Sequence, residues 1–77
     1  MTITVYSKPA CVQCVATTRL LDTLGLPYVT VDMTADPEAM ELVQLWGFKS
    51  APVVDADGER WGGFQPGRIK ALEKGNG

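Results

Sequence analysis

Thr2-Ile3-Thr4-Val5-Tyr6-Ser7-Lys8-Pro9-Ala10-Cys11-Val12-Gln13-Cys14 decides the fold. Its first part, Thr2 to Tyr6, is β-branched and aromatic, with Ile3 and Val5 on one face, and Ser7-Lys8-Pro9 stops it, which predicts a strand. From Cys11 the pattern turns helical, because Cys14, Thr17, Leu21 and Leu24 recur at steps of three and four and Gly25 stands where a C-terminal cap belongs. Cys14 therefore falls on the inward stripe of that helix, while Cys11 stands at its start.

Outward from this stretch, Pro27 to Met33 reads as a second strand. Asp36-Pro37-Glu38 then opens a second helix with an N-cap residue, a proline at the first helical position and an acid in the first turn. Its apolar set Ala39, Leu42, Val43 and Trp46 falls at i, i+3, i+4 and i+7, which predicts a core role for Trp46, and Gly47 closes the helix. Ser50 to Val54 opens a third strand, Asp57-Gly58 is a tight-turn signal, Glu59 to Phe64 returns as a hairpin partner, and Pro66 starts a last helix carrying Ile69 and Leu72. The order β-α-β-α-β-β-α predicts one α/β domain over residues 1–77, a right-handed βαβ unit with a hairpin added to its sheet. Gly75-Asn76-Gly77 reads as a frayed tail.

Composition narrows the function. At 77 residues and 45% hydrophobic the chain has enough apolar side chains for one small core. Seven Lys and Arg against nine Asp and Glu give a formal charge of −2, the wrong sign for a surface that neutralises phosphates, so nucleic acid is not the expected partner. No apolar run approaches the 18 or so residues of a membrane span, and the amino end has no signal-type segment, so a soluble cytoplasmic protein without a membrane partner is expected. The absence of histidine removes Ser-His-Asp and Cys-His nucleophile pairs and imidazole metal sites. Two cysteines so close together do not form the separated pairs of a small secreted scaffold.

What remains is Cys11-Val12-Gln13-Cys14. Backbone N–H groups at a helix N-terminus lack intrahelical partners and carry about half a positive charge, so a thiolate there is favoured over the thiol. Cys11 is the expected nucleophile. Cys14, one turn further in, is the expected resolving thiol, placed to attack a mixed disulfide on Cys11 and expel the substrate thiolate. Lys8 has two readings, a positive charge near the same sulfur or an ordinary solvated loop lysine. A structural disulfide across four residues would restrain little of the unfolded chain. Metal or iron-sulfur binding would need ligands that this chain lacks, from a second subunit or an added thiol, so no metal is expected. Cys-x-x-Cys beside a βαβ pattern favours dithiol redox chemistry.

Pro52, opening a strand, is on its own a plain edge or turn device. Trp61 and Phe64 lie in a Gly-rich segment without helical pattern, where either core packing or an exposed partner surface explains them.

With these residues in hand, the chain resembles the glutaredoxin-like branch of the thioredoxin superfamily, and within it the NrdH-type redoxins. The resemblance covers almost the whole chain. It rests on Tyr6-Ser7-Lys8-Pro9-Ala10 leading into the cysteine pair, on Ser50-Ala51-Pro52-Val53, and on Trp61-Gly62-Gly63-Phe64-Gln65-Pro66. It implies a thioredoxin fold of four mixed strands and three helices, and a cis peptide before Pro52. Ala51 would then pair with an extended substrate, and Trp61, Phe64 and Gln65 would contact partners. It further implies electron delivery to a class Ib ribonucleotide reductase with no cofactor bound by the chain itself; a monomer is expected. Thioredoxin reductase would recharge it, supplying NADPH and flavin. Gly62 stands where many members have Ser or Ala, and Gln65 and Gly67 where Arg and Asp are common. Glutathione-using members carry an acidic pair where this chain has Phe64-Gln65. The alternatives are a glutathione-dependent glutaredoxin and a dimeric iron-sulfur module using Cys11 with an added glutathione thiol.

Overall fold

β1 (Ile3–Ser7) lies inside the sheet, pairing parallel with β2 (Val29–Asp32) on one side and antiparallel with β3 (Val53–Ala56) on the other. β4 (Glu59–Gly62) closes the order β2-β1-β3-β4. The structure is a computed structural model and describes residues 2–75. Of the expected frayed tail, 76–77 lie outside the described residues, and Gly75 is the last residue of the final helix.

Successive residues of a strand face opposite sides of the sheet, and the core divides accordingly. Ile3, Val5, Val54, Ala56 and Trp61 face α1 (Val12–Thr23) and α3 (Pro66–Gly75), burying Leu21, Leu26, Ile69 and Leu72 with them. Tyr6 and Val53 face α2 (Pro37–Leu45) and pack with Ala39, Val43 and Met33. The four-stranded mixed sheet with three helices is the expected fold.

The helix ends follow their sequence signals. The Asp36 carboxylate accepts from the N–H groups of Glu38 and Ala39 at 3.1 and 3.2 Å, with Pro37 in the first turn. Gly25 and Gly47 sit at φ +70° and +90°, just beyond α1 and α2. Asp36→Ala is expected to cost about 1 kcal/mol, the typical worth of an N-cap. A urea midpoint indistinguishable from the parent's would show that water replaces the carboxylate without loss.

Five details differ from the sequence reading. β2 is shorter than Pro27 to Met33, since its ladder runs only from Val29, opposite Thr4, to Asp32, opposite Ser7. β3 begins at Val53, after a cis Ala51–Pro52 bond, in place of Ser50. β4 ends at Gly62 in place of Phe64, because Gly63 at φ +78° turns the chain out of the sheet. Trp46 is half-buried at the margin of the core, edge-on to Tyr6 at 5.6 Å between ring centres and covered by the Arg60 guanidinium 4.0 Å from its ring; Leu42 is likewise partly exposed.

The hairpin turn at Asp57-Gly58 has both residues at positive φ, +52° and +92°, the geometry a two-residue turn needs to match strand twist. Thr2 N–H donates to the Asp57 carboxylate at 2.9 Å. This end of the sheet is opposite the one that carries the cysteines.

Candidate active site

The sharp turn after β1 delivers Cys11 to the start of α1. Ala10 takes φ +55°, a conformation uncommon for a residue with a Cβ, and Cys11 follows in extended geometry as the N-cap of the helix. Its sulfur fills the role usually played by an Asp or Ser oxygen: the backbone N–H of Cys14 donates to Cys11 Sγ at 3.2 Å. Cys11 and Cys14 are joined as a disulfide, their Cα atoms 5.2 Å apart. The same N–H, with the positive end of the helix behind it, is placed to stabilise negative charge on Cys11 Sγ.

The expected asymmetry between the two cysteines is one of position more than of exposure. Cys11 is 9% exposed and Cys14 5%. Cys11 occupies the cap, whereas Cys14 begins the inward stripe continued by buried Thr17 and Leu21. Both border a groove of about 520 Å³ whose other walls include Lys8, Ala10, Val12, Val15 and Thr30. Val12 is 84% exposed, so the rim beside the disulfide is apolar.

Three other segments converge on this helix end. Pro52 is buried, and its carbonyl accepts from Gly63 N–H at 2.8 Å, tying the segment before β3 to the segment after β4. Phe64 N–H donates to Gln13 Oε1 at 3.1 Å, linking that second segment to one of the two residues between the cysteines. Ala51 and Lys8 border a second, smaller groove that shares Lys8 with the first. Lys8 itself is exposed.

Of the expected partner residues, Phe64 is 38% exposed. Trp61 is a correction: at 3% exposure it belongs to the core beneath α3, and its ring presents no face for a partner. Strand alternation turned it inward, and its Nε1 has no hydrogen-bond partner among the described residues. Gln65 is occupied locally, donating from Nε2 to the Gly62 carbonyl at 2.9 Å and accepting from Arg68 Nε at 3.0 Å. Glycine at 62 also has a local reason, since a Cβ there would lie 3.2 Å from the Phe48 ring.

Gln13 escaped the sequence reading. Its amide is one polar side chain among many on an exposed helix face, and only the partner 51 residues away reveals it. Gln13→Ala is expected to cost about 0.5–1.5 kcal/mol, the net worth of one hydrogen bond, and to speed amide hydrogen exchange at Phe64. Unaltered Phe64 exchange would mean that the bond does not hold the segment.

A cysteine pair at the N-terminus of the first helix, a cis-proline segment tied beside it and a β-α-β-α-β-β-α sheet together define a thiol-disulfide oxidoreductase of the thioredoxin fold. The glutaredoxin family model matches residues 3–61. The chain is 39% identical over 72 residues to the glutaredoxin-like protein NrdH of Escherichia coli K12, covering 94% of this chain and 89% of that one. It is 33% identical over 70 residues to NrdH of Lactococcus lactis subsp. cremoris, covering 91% and 97%. The solved structure of the Escherichia coli NrdH-redoxin superposes with a TM-score of 0.90 at 39% identity, over 94% of this chain and 95% of that one. The chain belongs to the glutaredoxin family, in its NrdH-type branch.

Proposed function

We propose that this redoxin is a dithiol electron carrier of the cytoplasm, acting as a monomer, that donates to a class Ib ribonucleotide reductase and is recharged by thioredoxin reductase. The observation that carries the reading is the Cys11–Cys14 disulfide with Cys11 as helix cap. In the reduced form the Cys11 thiolate attacks one sulfur of a partner disulfide; a mixed disulfide forms and the partner's other sulfur leaves as thiolate. Cys14 then attacks Cys11 Sγ, the partner's remaining sulfur departs, and the intramolecular disulfide forms. Two electrons pass to the partner, and the two protons of the dithiol end on its two thiols.

Recharging reverses these steps at the expense of NADPH through the flavin of the reductase, so the chain itself holds no cofactor. Glutathione presents two carboxylates and an ammonium group, and desolvating them without matched partners loses affinity. Phe64-Gln65 offers no acid to the ammonium, and Gln65 is already engaged by Gly62 and Arg68. The Escherichia coli relative pairs a glutaredoxin-like chain with a thioredoxin-like activity profile, which supports the same preference here. Among the described residues no helix is long and apolar enough to cross a membrane.

With purified thioredoxin reductase and a disulfide substrate, the chain is expected to drive NADPH consumption, and to be nearly inactive in a glutathione-coupled assay. Brisk turnover on glutathione without turnover on the reductase would replace this reading by that of a glutathione-dependent glutaredoxin. Oxidation of NADPH linked to deoxyribonucleotide formation by a class Ib reductase tests the donor role directly.

A further inference from the structure

Beside the cysteine groove lies a second one of about 220 Å³, between α2 and the segment that leads to Ala51. Its apolar surface comes from Met33, Met40 and Phe48, and its charges are Lys8 and Lys49. Neither groove has an Asp or Glu in its wall, although acids outnumber bases in the chain. The ion pairs among the described residues join Arg60 to Asp55 and Arg68 to Glu59, and neither lysine takes part in one. Asp32, just before Met33 in the chain, is turned back on its own loop, where Thr34 donates to it from both N and Oγ1 at 2.8 and 2.6 Å.

Lys8 borders both grooves, so a segment running from Cys11 toward Ala51 passes it and arrives at Lys49. Side chains of an extended segment two positions apart point the same way and are about 7 Å apart. A volume near 220 Å³ suits one such side chain more than a whole small molecule. We propose that the second groove selects disulfide substrates: it takes an acidic side chain two residues from the target cysteine of an extended protein segment, with the carboxylate between Lys8 and Lys49 and the stem against Met40 and Phe48. This rests on the dithiol reductase reading above and adds the class of sequence that the reductase prefers.

The experiment uses the full chain, reduced with a phosphine and desalted, in single turnover against three peptides. Each peptide has the same internal disulfide and differs only in carrying Glu, Gln or Lys two residues from the target cysteine. Rates are read by acid quench and mass spectrometry and divided by each peptide's rate with dithiothreitol, which removes intrinsic differences among the disulfides. The order Glu, Gln, Lys is expected, with about two- to five-fold between neighbours, the range for exposed ion pairs. The spread should shrink at about 0.5 M salt. Lys49→Glu should reverse the order and Lys49→Gln should compress it; both changes are at an exposed position. Equal normalised rates for the three peptides, or an order unaltered in Lys49→Glu, overturns the proposal while the dithiol chemistry stands. Failure to reduce any peptide overturns the reductase reading and this inference together.

Discussion

Cys11→Ser eliminates turnover, while Cys14→Ser carries out one attack and stops with the substrate bound to Cys11. A serine hydroxyl at the cap keeps its proton at neutral pH, so the helix end has no anion to present. With Cys14 replaced, the Cys11 thiolate still faces the helix N-terminus, and the mixed disulfide forms but nothing inside the molecule resolves it. Mass spectrometry separates the two outcomes: the Cys14→Ser protein gains the mass of one substrate half, removable by dithiothreitol, and the Cys11→Ser protein gains none. Accumulation of an adduct on Cys14 in the Cys11→Ser protein would reverse the assignment of nucleophile and resolver.

Leu21→Ala removes about 3 kcal/mol of stability, within the range of 2–5 kcal/mol for truncating a fully buried leucine. Leu21 has no exposed surface and lies in the cluster that joins α1 to β1, β3 and α3. A chain of this size has a net stability of the order of 4–12 kcal/mol, so the loss takes a large share of it. For a domain of 60–100 residues this lowers Tm by about 12–24 °C. Because Leu21 continues the stripe that starts at Cys14, the variant also tests whether the disulfide stands on a rigid base. Urea unfolding should give a lower midpoint with an unchanged slope. A loss under 1 kcal/mol would show that the neighbours close the cavity, and the account of the core would need revision.

The parts of this molecule legible in its sequence are those that local chemistry dictates. Alternation of Ile3 and Val5 against Tyr6 gave β1 its two faces. Asp36-Pro37 announced α2, and Asp57-Gly58 announced the hairpin. The cysteines were legible for the same reason, since their meaning depends on a spacing of three and on a helix beginning between them. Distant neighbours decided the rest. The limits of β2 depend on where β1 stops offering partners. In the Gly-rich run after Arg60 no pattern separates an inward ring from an outward one, and the ladder of β4 with β3 assigns Trp61 to the core while Gly63 releases Phe64. The bond from Phe64 N–H to Gln13 belongs to neither segment alone.

The strand order leaves β2 and β4 at the margins of the sheet, each only four residues long. An unpaired margin is a template on which another chain can add a strand, and the hazard grows with its length and flatness. In β2, Val29 is 57% exposed, but Pro27 ahead of it donates no hydrogen bond and Asp32 ends it with a charge. β4 carries Glu59 and Arg60 and ends at Gly62, after which Gly63 turns the chain out of the sheet. Both margins are therefore poor nuclei for cross-β growth. A protein that exposes an apolar rim beside its disulfide thus keeps its sheet edges resistant to self-association.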